Sequence, residues 1–137
     1  MARHRFRCPL RWGDMDRYGH VNNVVFVQYL EEARVDLFER LAQDGPWDML
    51  TTGVLVAGHE IRYRRPLEHR SAPVPIDVWV TRIGAAAFDV AYEIHDGDHA
   101  VYATASTTLV PYDFAAARPR RLTADEKARL GAFGAES

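Results

Sequence analysis

One stretch in the first third of the chain constrains the fold most, because it predicts a single long amphipathic helix. Apolar side chains, Val27 among them, recur every three or four residues from Phe26 to Leu41, the pattern of a helix that buries one face. Asn22 and Asn23 suit the helix start, where short polar side chains accept from free amides. A glycine and a proline within 43–46 predict the helix end. A helix of about 20 residues measures about 30 Å.

The rest of the sequence contains five stretches in which apolar and polar residues alternate, as in half-buried β-strands. We predict strands over 4–12, 54–67, 74–80, 88–94 and 100–111, and irregular structure over 113–121. Cys8 and Trp12 fall on the apolar face of the first strand. Short turns join the later strands, so neighbours run antiparallel and the fold class is α+β. We expect a five-stranded antiparallel sheet wrapped around one long central helix. Thr123 and Glu126 form a capping-box pattern that starts a short C-terminal helix.

Composition excludes several classes of protein. The 137 residues suffice for one core, and we predict a single domain over residues 1–137. A net charge of -2 argues against nucleic acid as the main partner. The single cysteine excludes an internal disulfide and fits a reducing compartment. The sequence has no signal-peptide pattern and no run of about 18 apolar residues, so we expect a cytoplasmic protein without a membrane partner.

The polar turn before the helix places a carboxylate close to a helix start. Asp16 precedes Gly19, His20 and Asn23 by a few residues. Amides at a helix N-terminus lack intrahelical acceptors and carry partial positive charge, so they can polarise an acyl carbonyl. A carboxylate beside that carbonyl can attack it or deprotonate a water, provided that the leaving group is as good as a thiolate. The pattern favours thioester chemistry, with a plain helix cap as the structural alternative for Asp16.

The stretch WGDMDRYGHVNNVVFVQYLEEAR resembles the start of the hotdog-fold acyl-CoA thioesterases of the 4-hydroxybenzoyl-CoA thioesterase type. The likeness continues through YRRPL at 63–67 and covers about residues 4 to 125. It implies hydrolysis of an acyl-CoA thioester, with coenzyme A as part of the substrate and no separate cofactor. It also implies a homodimer or homotetramer with active sites at the subunit interface, which agrees with the open sheet edge that the predicted strands leave.

The resemblance also assigns residues. The family's catalytic carboxylate falls on Asp16 and its oxyanion-hole amide at about Asn23, with Gly19 and His20 shaping the turn. Some relatives hold coenzyme A phosphates with arginines at positions that are Gly84 and Ala85 here. Other residues must therefore bind this part of the substrate, and our candidates are Arg64, Arg65, Arg70 and Arg82, with Glu60 as a further polar group across the dimer.

Three alternatives remain at this stage. The chain could be a non-catalytic acyl-CoA-binding module in which Asp16 only caps the helix. It could act on thioesters carried by acyl carrier protein. It could be a hydratase on hydroxyacyl thioesters, although the His–Asp pattern of those enzymes is not found. We predict no metal site, because His95 and His99 beside one hairpin lack further ligands, and we predict that Asp14 holds the turn by hydrogen bonds.

Overall fold

The computed structural model describes residues 3–45, 47, 49 and 53–134. In these ranges the chain forms helix α1 over Asn23–Ala42 and helix α2 over Ala124–Gly131, with a 3-10 turn over Trp12–Asp14. The strands are β1 (His4–Cys8), β2 (Val54–Tyr63), β3 (Val74–Ile83), β4 (Phe88–His95), β5 (Val101–Asp113) and the two-residue β6 (Arg118–Pro119). Pro46, at the predicted helix end, and most of the connector 47–52 lie outside the described residues.

The strands form one antiparallel sheet in the order β1-β3-β4-β5-β2, and β6 pairs with β5. Helix α1 packs against one face of this sheet, and its buried side chains share a core with those of β3, β4 and β5. The predicted α+β hotdog architecture, with its long central helix and short C-terminal helix, is confirmed. In the described ranges β1 and β2 are the outer strands, so β2 presents an unpaired edge next to α1.

Local chemistry explains where α1 begins and ends. The Asn22 side chain accepts from the amide of Val24 at 2.9 Å, which confirms the predicted cap. Gly45 adopts φ +134° just after the helix, a backbone conformation that favours glycine. The guanidinium of Arg129 on α2 donates to the carbonyls of Leu41 and Gly45, so the second helix is tied to the C-terminal end of the first.

The buried stripe of α1 differs from the prediction at three positions, because Val27 is not part of it and Tyr29 and Arg34 are. Val27 is 39 % exposed, whereas Tyr29 is buried. The helix therefore turns Val27 toward the groove beside β2 and places the Tyr29 ring in the core. Each large apolar side chain that α1 buries stabilises the fold by roughly 1.5–3 kcal/mol.

The structure corrects three predicted boundaries. Strand β1 ends at Cys8 rather than at Trp12, because Pro9 has no amide proton to continue the ladder. Trp12 belongs to the 3-10 turn and is 76 % exposed, so its predicted place on the buried face is wrong. Strand β2 ends at Tyr63, and β6 lies inside the segment predicted to be irregular.

Among the described residues, no helix is long and apolar enough to cross a membrane.

Candidate active site

The turn before α1 is held closed by the carboxylate of Asp16. Its Oδ1 accepts from the amides of Tyr18 at 2.9 Å and His20 at 3.3 Å, and its own amide donates to the carbonyl of His20 at 2.7 Å. Gly19 completes the turn at φ +80°, which a residue with a side chain adopts only with strain. Within residues 3–45, 47, 49 and 53–134 no donor reaches the other oxygen of Asp16, Oδ2. One oxygen therefore shapes the turn and one stays open for chemistry.

Asp14, two residues earlier, has a different environment. It is buried, and its Oδ2 accepts from the Tyr29 hydroxyl at 2.6 Å and from the amide of Arg11 at 3.0 Å. Burial raises the pKa of Asp14, but the hydrogen bonds from Tyr29 and Arg11 outweigh burial and hold the pKa below its ordinary value. The prediction that Asp14 has a structural role is confirmed, since it ties the turn to α1.

The first amide of α1 has no acceptor. The amide of Val24 donates to the side-chain oxygen of Asn22, and the amides of Val25 and Phe26 donate to the backbone carbonyl of Asn22. The amide of Asn23 donates to no atom in the described part of the chain. An open amide at the positive end of a helix dipole is the donor that an oxyanion requires.

A cavity of about 340 Å³ lies in front of this helix start. The residues that line it include five of those predicted from the sequence: Asp16, His20, Asn23, Arg64 and Arg65. It is adjacent to a wider depression of about 740 Å³ that shares His20 and Arg65 and adds His69 and Arg70. The carboxylate and the open amide therefore share a cavity that adjoins a surface depression lined by basic side chains and by the acidic Glu68 and Asp96.

The predicted arginines occupy two different parts of the sheet. The guanidinium groups of Arg64 and Arg65 make no ion pair in the described ranges, whereas Arg82 donates to Asp89 at 2.9 Å. Arg82 on β3 pairs with Asp89 on β4. Tyr63, beside the cavity, is in line with Ile94 on β4, which is five residues farther along that strand than Asp89. Arg82 is therefore displaced from the cavity by about 17 Å along the strand direction and also lies three strands away across the sheet.

Glu60 also lies away from the cavity. Its side chain is 70 % exposed and approaches Arg62 at 3.9 Å. Its neighbour His59 points the opposite way, toward α1, where its Nδ1 lies 2.8 Å from Thr107 Oγ1. One chain therefore does not bring Glu60 to Asp16.

Cys8 lies in the core, as predicted from its place on the apolar face. Burial raises the pKa of its thiol to about 12, so it stays protonated and is a poor nucleophile. The only cysteine thus takes no part in the site.

The sequence model of the thioesterase-like superfamily matches residues 10–130. The chain belongs to the thioesterase-like superfamily. Its residues 10–130 include the whole turn, α1 and the strands that surround the cavity. No curated protein matches the sequence significantly.

Solved structures share the fold over nearly the full chain. The PA2801 protein of Pseudomonas aeruginosa is 33 % identical over 91 % of this chain and 95 % of that one, with a TM-score of 0.78. A thioesterase from Thermus thermophilus, solved with coenzyme A and zinc, is 28 % identical over 97 % and 95 % of the two chains, with a TM-score of 0.81. A predicted thioesterase from Bacillus stearothermophilus has the same fold at 21 % identity, covering 99 % of both chains, with a TM-score of 0.85.

The sequence did not predict one contact beside this cavity, which is made by Tyr63. The hydroxyl of Tyr63 donates to the carbonyl of Asn23 at 2.9 Å, and its ring packs edge-on against Phe26. Tyr63 therefore fixes the start of α1 against the end of β2. Tyr63 alternates with Ile61 along β2, but no sequence pattern identifies which backbone carbonyl a tyrosine will reach.

Proposed function

We propose that this protein hydrolyses acyl-CoA thioesters to a free acid and coenzyme A. The observation that carries the proposal is the pairing of two open groups on one cavity, Asp16 Oδ2 and the Asn23 amide. Membership of the thioesterase-like superfamily supports the same reaction class.

In the proposed mechanism the thioester carbonyl oxygen accepts from the Asn23 amide. Asp16 then either attacks the carbonyl carbon directly or takes a proton from an attacking water. Negative charge develops on the oxygen next to the positive end of α1 and is stabilised there. The thiolate of coenzyme A leaves. If Asp16 attacked, water then hydrolyses the mixed anhydride on Asp16 and releases the acid; if water attacked, the free acid forms directly. Gly19 and His20 position the carboxylate through the turn.

The phosphates of coenzyme A are assigned to Arg64 and Arg65. Both line the cavity, and planar guanidinium groups match phosphate geometry. The Thermus thermophilus thioesterase was solved with coenzyme A, which supports this class of substrate. The alternative thiol carrier, acyl carrier protein, presents the same reacting group, so the chemistry at Asp16 is unchanged.

We further propose that the protein works as a homodimer or homotetramer built through β2. The free edge of β2 lies beside exposed apolar side chains of α1 and of β2 itself. These are Val24, Val27 and Val35 of α1 and Leu55 and Val56 of β2. Because Arg82 and Glu60 lie off the cavity within one chain, a second copy is required for either to reach substrate.

The substitution Asp16→Asn tests the catalytic assignment. Asparagine keeps the Oδ1 acceptor for Tyr18 and His20, so the turn persists, while the carboxylate is lost. We expect kcat for thiol release from acyl-CoA to fall by about 10²–10⁴, with binding retained. Asp98→Asn, in the β4–β5 turn, is the matched control and should leave kcat unchanged.

Unchanged thiol release by the Asp16→Asn protein would remove Asp16 from the chemistry. Thermal stabilisation by coenzyme A ligands without thiol release from a range of acyl-CoAs would instead identify a binding module.

A further inference from the structure

A second cavity lies in the same groove between α1 and β2, beyond the one that holds Asp16. Its volume is about 350 Å³, and it is lined by Val27, Gln28, Glu31, Arg34, Val56 and His59. Arg34 lies three helical turns beyond Asn23, about 16 Å along α1. The second cavity therefore lies farther along the same two elements, and its wall contains Arg34, His59 and the acidic Glu31.

A chain of hydrogen bonds crosses the core behind this cavity. Arg34 Nη1 donates to the Tyr92 hydroxyl at 3.0 Å, and that hydroxyl donates to Thr107 Oγ1 at 2.9 Å. Thr107 lies 2.8 Å from His59 Nδ1. Because Thr107 already accepts from Tyr92, its own proton is available to Nδ1, which leaves the proton of a neutral His59 on Nε2. Tyr92 and Thr107 are each 1 % exposed, so the chain is fixed in place.

Arg34 and Glu31 are the two charged residues that line this cavity. Burial, reinforced by the charge of Arg34, lowers the pKa of His59, so the imidazole is neutral at pH 7. Arg34 is 8 % exposed. Its nearest carboxylate, Glu31, is 3.9 Å away on a side chain that is 66 % exposed. Glu31 forms a long ion pair with Arg34 from a solvated side chain, so the anionic end of a ligand can compete with it for the guanidinium.

Building on the proposed acyl-CoA hydrolysis, we propose that this cavity receives the far end of the acyl group and selects a carboxylate there. Val27 and Val56 contact the methylene chain, and Arg34 and the Nε2–H of His59 donate to the terminal carboxylate. The preferred substrates are then coenzyme A thioesters of dicarboxylic acids.

The test uses two non-hydrolysable thioether analogues of coenzyme A with chains of equal length, one ending in a methyl group and one in a carboxylate. Their Kd values are measured by calorimetry on the wild-type protein. We expect the carboxylate analogue to bind at least about tenfold more tightly, the effect of a hydrogen bond between charged groups. A smaller ratio overturns the proposal.

Two variants assign the preference to residues. Arg34→Met keeps most of the apolar stem of the side chain and removes the guanidinium. His59→Leu removes the second donor, which lies on the outer strand β2. Each should reduce the ratio of the two Kd values by about tenfold or more, while Arg40→Met on the same helix leaves it unchanged. A purely structural role for Arg34 would weaken both analogues equally, so a ratio that survives both substitutions overturns the assignment.

The analogues are not cleaved, so this result is independent of Asp16. Loss of the preference with normal thiol release rejects only the carboxylate site. A retained preference without thiol release rejects only the proposed hydrolysis.

Discussion

At the scale of single residues, the open amide of Asn23 is the least replaceable group in the site. The neighbouring amides Val24, Val25 and Phe26 are already engaged by Asn22. The Asn23 side chain is exposed and takes part in none of these bonds. The proposed oxyanion stabilisation therefore depends on a backbone atom, which ordinary side-chain substitution does not remove.

Asn23→Pro removes that amide proton without breaking α1. Asn23 is the first residue of α1. Proline is favoured at this position because the amide proton that it lacks would have no acceptor within the helix. Asn22, at φ -61° and ψ 139°, already has the extended conformation that precedes proline. We expect kcat for thiol release to fall by about 10²–10³, the typical loss of one oxyanion donor.

Asn23→Ala is the matched control, since alanine keeps the amide and should leave kcat near the wild-type value. Circular dichroism checks that both variants retain the helix. Equal activity of the two proteins would show that the Asn23 amide does not contact the substrate.

At the scale of secondary-structure elements, an ion pair between the exposed Arg5 and the buried Asp77 joins β1 to β3. Arg5 donates to Asp77 at 2.8 Å, and His95 on β4 approaches the same carboxylate at 3.1 Å. Burial raises the pKa of Asp77, but the hydrogen bonds from Arg5 and the charge of His95 outweigh it, so the pKa lies below its ordinary value. Arg3 at 3.9 Å adds positive charge from the same strand end.

This ion pair predicts a loss of stability in acid. A carboxyl group with a lowered pKa in the folded state stabilises the protein fully above its unfolded pKa of about 3.9, and the contribution disappears as the pH falls through the folded value. Asp77→Asn should therefore lower the urea midpoint at pH 7 and have a smaller effect below about pH 3.5. Asp44→Asn, at an exposed position after α1, is the control. A difference between wild type and variant that is constant from pH 7 to pH 3 would contradict the assignment.

At the scale of the whole molecule, the groove between α1 and β2 is the feature that a single chain leaves incomplete. Val27 and Val56 are exposed on its two sides, and the unpaired edge of β2 runs beside them. Both cavities open along this groove, so the proposed oligomer would cover the reaction centre and the acyl-binding end together.

Val56→Glu should convert the proposed dimer to monomers. In an interface through β2 each subunit would bury the new carboxylate against the other, and burying an unpaired charge is unfavourable. Sedimentation velocity should report half the mass of the wild-type dimer. The variant should also release thiol from acyl-CoA more slowly. Ile83→Glu, at a partly exposed apolar position at the end of β3, should leave the mass unchanged. A wild-type protein that sediments as a monomer would reject the interface.

The sequence by itself predicted the long helix, the main strands and the proposed reacting groups, because each depends on short-range patterns. The apolar spacing of α1, the Asn22 cap and the alternation of the strands are properties of neighbours along the chain. Asp16 and Asn23 lie seven residues apart, so the turn alone brings them to one cavity.

Only the tertiary structure decided which groups meet across the sheet. Arg64 and Arg65 reach the cavity while Arg82 pairs with Asp89, and the difference comes from strand register, which no local pattern specifies. The chain from Arg34 to His59 joins one helix and three strands whose residues are up to 73 positions apart in the sequence. Such contacts arise from packing of the whole fold, because each side chain finds its partner only after the helix has docked on the sheet.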